Sequence, residues 1–210
     1  MKKKMKKYFA FFVATVMTLA MLTGCGMKAD DAREYVQAAL DASYKGDFKE
    51  YVKITESTEE EAKALYDGNM EQIMQSLGMG DSMTEEMRAK YEELFKSIFS
   101  KAKYTVGEAK ETEEGFEVEV QTEQLQLFSE LENDLIEEME KDLSGLEKQP
   151  TEEEINTIAL ENMHSLLTEK LSDPAYGEAQ TITVRVTKDE DGVWNISEED
   201  LTAVDEALFR

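Results

Sequence analysis

The 210-residue chain reads as an α+β protein, with helices packed on a curved antiparallel sheet of two hairpins and a two-helix insertion between the hairpins. Three observations predict this. Apolar residues recur at helical spacing through roughly the first hundred positions. The period then switches to two in a pair of short stretches, around Val118 and Val184, each beside a turn signal. Between those stretches lie two long segments in which helical spacing returns.

The elements follow in order. Asp30 or Asp31 is the candidate cap of a helix that places Ala32, Tyr35, Val36, Ala39 and Leu40 on one face. Gly46-Asp47 ends that helix and opens a short one holding Phe48, Tyr51 and Val52. Ser57 and Glu60 have the spacing of a capping box, and Ala62, Leu65, Tyr66, Met70, Ile73, Met74 and Leu77 continue the apolar stripe. Gly78-Met79-Gly80-Asp81 breaks it. Ser82 with Glu85 restarts a helix bearing Met87, Tyr91, Leu94, Phe95, Ile98 and Phe99.

Tyr104-Thr105-Val106 then leads into a turn at 111–115, beyond which Phe116, Val118 and Val120 alternate with Glu117, Glu119 and Gln121. Carboxylates on every second position predict a strand with one buried and one wet face, hence an antiparallel hairpin. Leu127, Phe128, Leu131, Leu135, Ile136, Met139 and Leu143 form the stripe of the first inserted helix. Pro150-Thr151 with Glu154 opens the second, which is expected to bury Ile155, Ile158, Ala159, Met163, Leu166, Leu167 and Leu171 before Asp173-Pro174 stops it. Ile182, Val184 and Val186 alternate in the next strand, and 189–192 turns the chain into Val193-Trp194-Asn195-Ile196. Ser197 with Asp200 caps a last helix over 198–209.

The N-terminus has a different character. Lys2, Lys3, Lys4, Lys6 and Lys7 precede an uncharged run from Tyr8 to Met21, rich in phenylalanine, valine and leucine. A basic flank and a core of about 14 apolar residues match a secretory signal, whereas a spanning helix needs about 20. The run ends in Leu22-Thr23-Gly24-Cys25, a poor fit to an A-x-A cleavage site and a good fit to a bacterial lipobox. Cys25 is the one cysteine of the chain. The expectation is removal of residues 1–24, a diacylglyceryl thioether on Cys25, a short tether over 25–30 and one acidic domain over 25–210. Two acyl chains give the stable membrane anchoring that one does not. A lipidated Cys25 leaves no thiol for a disulfide or for catalysis.

Charge narrows the partners. The chain carries −24; the lysines of the leader contribute +5 without an acid, which leaves −29 on residues 25–210. Such a body repels phosphate polymers, so nucleic acid is not an expected partner. Eight tyrosines, nine phenylalanines and a tryptophan in the whole chain supply a core, unlike a disordered acidic tail.

The lipobox, the acidic helices, the hairpin, the helical insertion and the closing Asp191-Gly192-Val193-Trp194-Asn195-Ile196 stretch together resemble small lipoproteins of Gram-positive Firmicutes with a cystatin-like or NTF2-like α+β domain. The resemblance implies a fold and an extracytoplasmic, lipid-anchored location. It transfers no catalytic residue. It also implies that Gly192 turns a hairpin and that Trp194 fills the concave side of the sheet; the two-helix stretch from about 125 to 172 departs from a minimal NTF2-like domain, and whether it covers the mouth of the pocket that such folds often have is left open.

The remaining site signals are weak. Glu161 and His164 have the spacing of one half of a helical di-iron site, but His164 is the single histidine. Met70, Met74, Met79, Met83 and Met87 recur at helical spacing and offer soft thioethers, yet three of them fall on packing stripes. The acidic run 189–191 is too short for a calcium loop and reads as a turn. Runs such as Glu152-Glu153-Glu154 sit in first turns, where they complement the helix dipole. No catalytic set, metal site or cofactor is therefore assigned. Cys25, with Leu22, Thr23 and Gly24 before it, is the single site the sequence singles out. The favoured expectation is a non-enzymatic module for an envelope protein or small-molecule ligand. The alternatives are a carboxylate-dependent enzyme on an NTF2-like scaffold and an accessory solute-binding lipoprotein.

Overall fold

The computed structural model describes residues 26–76, 83–146 and 148–209. The lipobox Leu22–Cys25, the break at 78–81, Leu77 and the Ser82 cap lie outside the described residues. The elements are α1 (Ala29–Leu40) running into a π-helical turn (Asp41–Lys45), α2 (Lys49–Thr55), α3 (Glu59–Ser76), α4 (Glu85–Ser100), β1 (Lys103–Glu111), β2 (Gly115–Leu125), α5 (Leu131–Ser144), α6 (Glu152–Ser172), β3 (Tyr176–Lys188), β4 (Trp194–Ile196) and α7 (Glu198–Phe209). The α+β class, the two hairpins and the two-helix insertion between them are as the sequence predicts.

The strands form one antiparallel sheet in the order β1-β2-β3-β4. Period two divides its faces. Phe116, Val118, Val120 and Thr122 of β2 are buried, while Glu117, Glu119 and Gln121 face water. Val118 pairs with Val184 and Phe116 with Val186, so the apolar rows of β2 and β3 lie side by side. Helices α1 and α7 pack against these strands. The contiguous core runs from Tyr35 and Leu40 of α1 through Phe95 and Phe99 of α4 to Leu208 and Phe209 of α7.

Gly115 is required at the β1–β2 turn. Its φ is +150°, and a Cβ placed there would lie 2.2 Å from the Val186 carbonyl oxygen. Gly192 has φ +81° in the β3–β4 turn, where the Asp189 carboxylate accepts hydrogen bonds from the amides of Asp191 and Val193 and from Asn195. The acids of 189–191 thus build a turn, as expected. Trp194 sits on the helix-covered face at the corner of the sheet, its ring 5.4 Å from that of Phe116.

Several boundaries differ from the sequence reading, each for a physical reason. Neither Asp30 nor Asp31 is the cap of α1; Lys28 holds that place, and the Asp31 carboxylate reaches back to accept from its amide at 2.9 Å. The ordered body therefore begins before the end of the expected 25–30 tether, with Met27 packed on the core. The first capping box lies one residue later than expected. Thr58 and Glu61 exchange the bonds, and Ser57 pairs instead with Thr55 at 2.7 Å. The next cap is Thr84, whose hydroxyl accepts from the Met87 amide.

Leu127 and Phe128 do not belong to the first inserted helix. Pairing of β2 with β3 continues to Leu125 opposite Tyr176, and the chain turns before α5 begins at Leu131. Helix α6 fully buries Leu167 and Leu171 but leaves Ile155, Ile158, Ala159, Met163 and Leu166 half-buried. Its main neighbours among the described residues are α5 and α4.

Candidate functional site

Two regions carry polar chemistry or open surface. The first surrounds the π-helical turn after α1, a local widening found often at functional sites. It swings Tyr44 fully inside, where its hydroxyl donates to Asp205 Oδ1 of α7 at 2.8 Å. Burial, then the charge and hydrogen bond of Asp205, push the Tyr44 phenol well above its ordinary range. Tyr44 packs against Tyr104 and Phe209, both at 5.7 Å between ring centroids. Tyr104 in turn donates to Asp41 Oδ1 at 2.6 Å, and Lys45 and Gln37 also donate to Asp41. Burial raises the Asp41 pKa, but the bonds from Lys45, Tyr104 and Gln37 outweigh it and hold the carboxyl below its usual range.

At the far side of the sheet, Asp200 accepts from the backbone and the side chain of Arg185, each at 2.8 Å. Here too burial raises the pKa, and the Arg185 bonds and charge with the Ser197 bond more than reverse it. Asp41 and Asp200 are thus ionised acceptors fixed by donors, the opposite of a general acid held protonated. They staple helices to strands.

The second region is the arm formed by α5 and α6. The two helices run antiparallel: Asp134 meets Lys170 at 2.7 Å, and Asp142 accepts from Asn162 at 2.9 Å. The arm is seated on α4, where Tyr91 donates to the Leu160 carbonyl at 2.8 Å and stacks edge-on against His164 at 5.6 Å. His164 therefore has a packing partner, while Glu161 is exposed. Met70, Met74 and Met87 are buried in the core and Met83 packs at its edge; Met79 lies outside the described residues. Among the described residues, no group of three or more His, Cys, Asp or Glu side chains is placed to hold a metal ion.

Helix α5 has α6 as its main neighbour, and its outer side carries Ile136, 51% exposed. Two clefts flank the arm. One, of 490 Å³, lies between the helices and is lined by Asp134, Glu137, Glu138, Glu169, Lys170, Ser172 and Asp173 around Leu166. The other, of 620 Å³, lies at the tip, where Leu146, Pro150 and Ile158 form an apolar floor beside Glu153, Glu154 and Lys148. Leu146 is 44% exposed there. These clefts lie along the flank and at the tip of the arm.

No family model matches the chain, and no curated protein does. The fold has a solved counterpart. The crystal structure of YcdA from Bacillus subtilis subsp. subtilis str. 168, named as a candidate lipoprotein, aligns with a TM-score of 0.60 at 17% sequence identity. The alignment covers 86% of this chain and 56% of YcdA, so the chain spans little more than half of that protein's length. At this identity the likeness is one of fold. Among the described residues no helix is long and apolar enough to cross a membrane.

Proposed function

We propose that this chain is a lipoprotein of the cell membrane, anchored through Cys25 after removal of residues 1–24, whose body of residues 25–210 acts on the extracytoplasmic side as a non-enzymatic interaction module through the α5–α6 arm. The observation that carries the interaction reading is the division of the molecule. Its half-buried Asp41 and buried Asp200 are committed to structural donors, whereas the arm presents Ile136, Leu146 and two clefts to solvent. Contiguous uncovered apolar surface marks a site for partners, and Leu146 forms such a surface with Pro150 and Ile158 in the cleft at the tip.

The anchoring reading is supported by the basic leader, the Leu22-Thr23-Gly24-Cys25 sequence and the fold likeness to a candidate lipoprotein. The finer architecture we propose is cystatin-like or NTF2-like: α1 lies against the strands of an antiparallel meander, and the helical arm interrupts it between the second and third strands.

Mass spectrometry of the protein's own N-terminus tests the anchor. The expected result is a chain that starts at Cys25 and carries a diacylglyceryl group; an unlipidated chain still bearing its leader refutes it. Photo-crosslinkers at Ile136, at Leu146 and, as a control, at Thr183 on the wet face of the sheet test the module. A specific envelope partner is expected from the arm positions alone. Equal labelling from Thr183, or none from the arm, refutes it.

A further inference from the structure

We infer that the cleft at the tip of the arm docks a basic amphipathic helix of a protein partner, an assignment that rests on the arm being the interaction surface and adds its chemistry. Two independent features of the tip argue for it. The first is apolar. The pairings of Asp134 with Lys170 and of Asp142 with Asn162 set a register that brings Leu146 opposite Ile158. These two side chains and Pro150 floor a cleft of 620 Å³, a size that accepts one or two aliphatic or aromatic anchors from one face of a helix.

The second feature is charge. Helix α5 carries six acids and one lysine, and α6 carries five acids and one lysine, so the two helices together hold −9. Both lysines are already engaged within the arm, Lys170 by Asp134 at 2.7 Å and Lys141 by Glu138 at 3.1 Å. Glu153, Glu154 and Lys148 stand beside the apolar floor. An apolar floor on an arm whose two helices hold −9, with Lys148 the one cation lining the cleft, favours a ligand with apolar anchors flanked by lysine or arginine. The same field opposes a second copy of this arm, an anionic lipid surface and a nucleic acid.

The test uses the full chain in phosphatidylcholine nanodiscs, with signal from empty discs subtracted. The probe is a fluorescent helical peptide of about 18 leucines and lysines in amphipathic order; its counterpart has glutamate for lysine. Anisotropy should show binding of the lysine peptide only, weakening with salt. Leu146→Ser, at an exposed position, should weaken binding about tenfold through the lost apolar anchor. Glu153→Lys should weaken it about threefold and flatten the salt dependence, while Glu154, which caps α6 with Thr151, is left intact. Equal binding of both peptides, insensitivity to both variants, or self-association of the chain that displaces the peptide would each overturn the inference. Crosslinks from Leu146 to an envelope partner without peptide binding would overturn the basic-helix assignment and leave the module standing. Peptide binding without such crosslinks would support the cleft's chemistry and remove the module.

Discussion

The Tyr44–Asp205 hydrogen bond should stabilise this fold more than the neighbouring Tyr104–Asp41 bond, although the second is shorter. Tyr44 is fully buried, Asp205 is 2% exposed, and their bond joins the end of α1 to α7. Tyr44→Phe keeps the ring contacts with Tyr104 and Phe209 and removes only the hydroxyl. It deprives a buried carboxylate of a donor, which costs about 1.5–3 kcal/mol for a bond to a charged group. Tyr104→Phe removes a donor from Asp41, but Lys45 at 2.7 Å and Gln37 at 2.8 Å remain, and the site is half-buried. That loss should cost about 0.5–1 kcal/mol. For a body of this size each kcal/mol moves Tm by about 2–4 °C, so the first variant should lose about 3–12 °C and the second about 1–4 °C. Urea unfolding followed by Trp194 fluorescence measures both. Adding Asp205→Asn to Tyr44→Phe should cost less than Asp205→Asn alone, giving a coupling of about 1–2 kcal/mol. A Tyr44→Phe protein as stable as the parent, or less damaged than Tyr104→Phe, would refute the reasoning.

Three further outcomes follow from the same structure. Gly115→Ala should destabilise the first hairpin by roughly 3 kcal/mol, since its Cβ would stand 2.2 Å from the Val186 carbonyl oxygen; loss of amide protection in β2 before the rest of the sheet would show it, and an unchanged exchange pattern would contradict it. Asp200 has a depressed pKa in the folded state, so the native form binds fewer protons than the unfolded chain near the unfolded value of about 3.9. Its contribution is present above that pH and is lost as pH falls through the folded pKa. Urea titrations between pH 6 and about 3 should therefore fall more steeply in the parent than in Asp200→Asn, and parallel curves would argue against it. Tyr91→Phe removes the bond to the Leu160 carbonyl and should speed hydrogen exchange in α6 selectively, leaving β2 unchanged; equal acceleration in both would deny that the arm is an independently loosened unit.

Periodicity along the chain was sufficient for the secondary elements, because a helix face and a strand face are local patterns that one or two turns display. Phe116, Val118 and Val120 announce their strand, and Thr151 with Glu154 announces the start of α6 through a box whose bonds span three residues. Single-residue choices between neighbouring hydroxyls were not legible. Ser57 and Thr58 both satisfy the spacing rule, and only the backbone path decides which one caps. The start of α5 differs for another reason. Leu127 and Phe128 fit its helical stripe, but strand pairing runs to Leu125 opposite Tyr176, and the chain then turns over 127–130 before the helix begins at Leu131.

The candidate surface divides in the same way. The sequence by itself determined that the protein has a lysine-rich N-terminus with an uncharged apolar run before Cys25, an acidic body, one wet sheet face and a two-helix insertion, since composition and period are properties of neighbours along the chain. Only the tertiary structure decided that this insertion stands on α4 as an arm, with Leu146 and Ile158 in one cleft. It alone brought Tyr44 to Asp205 across a separation of 161 residues. The physical reason is that burial depends on what an amphipathic face finds to lie against, and no spacing rule within a helix specifies its neighbour.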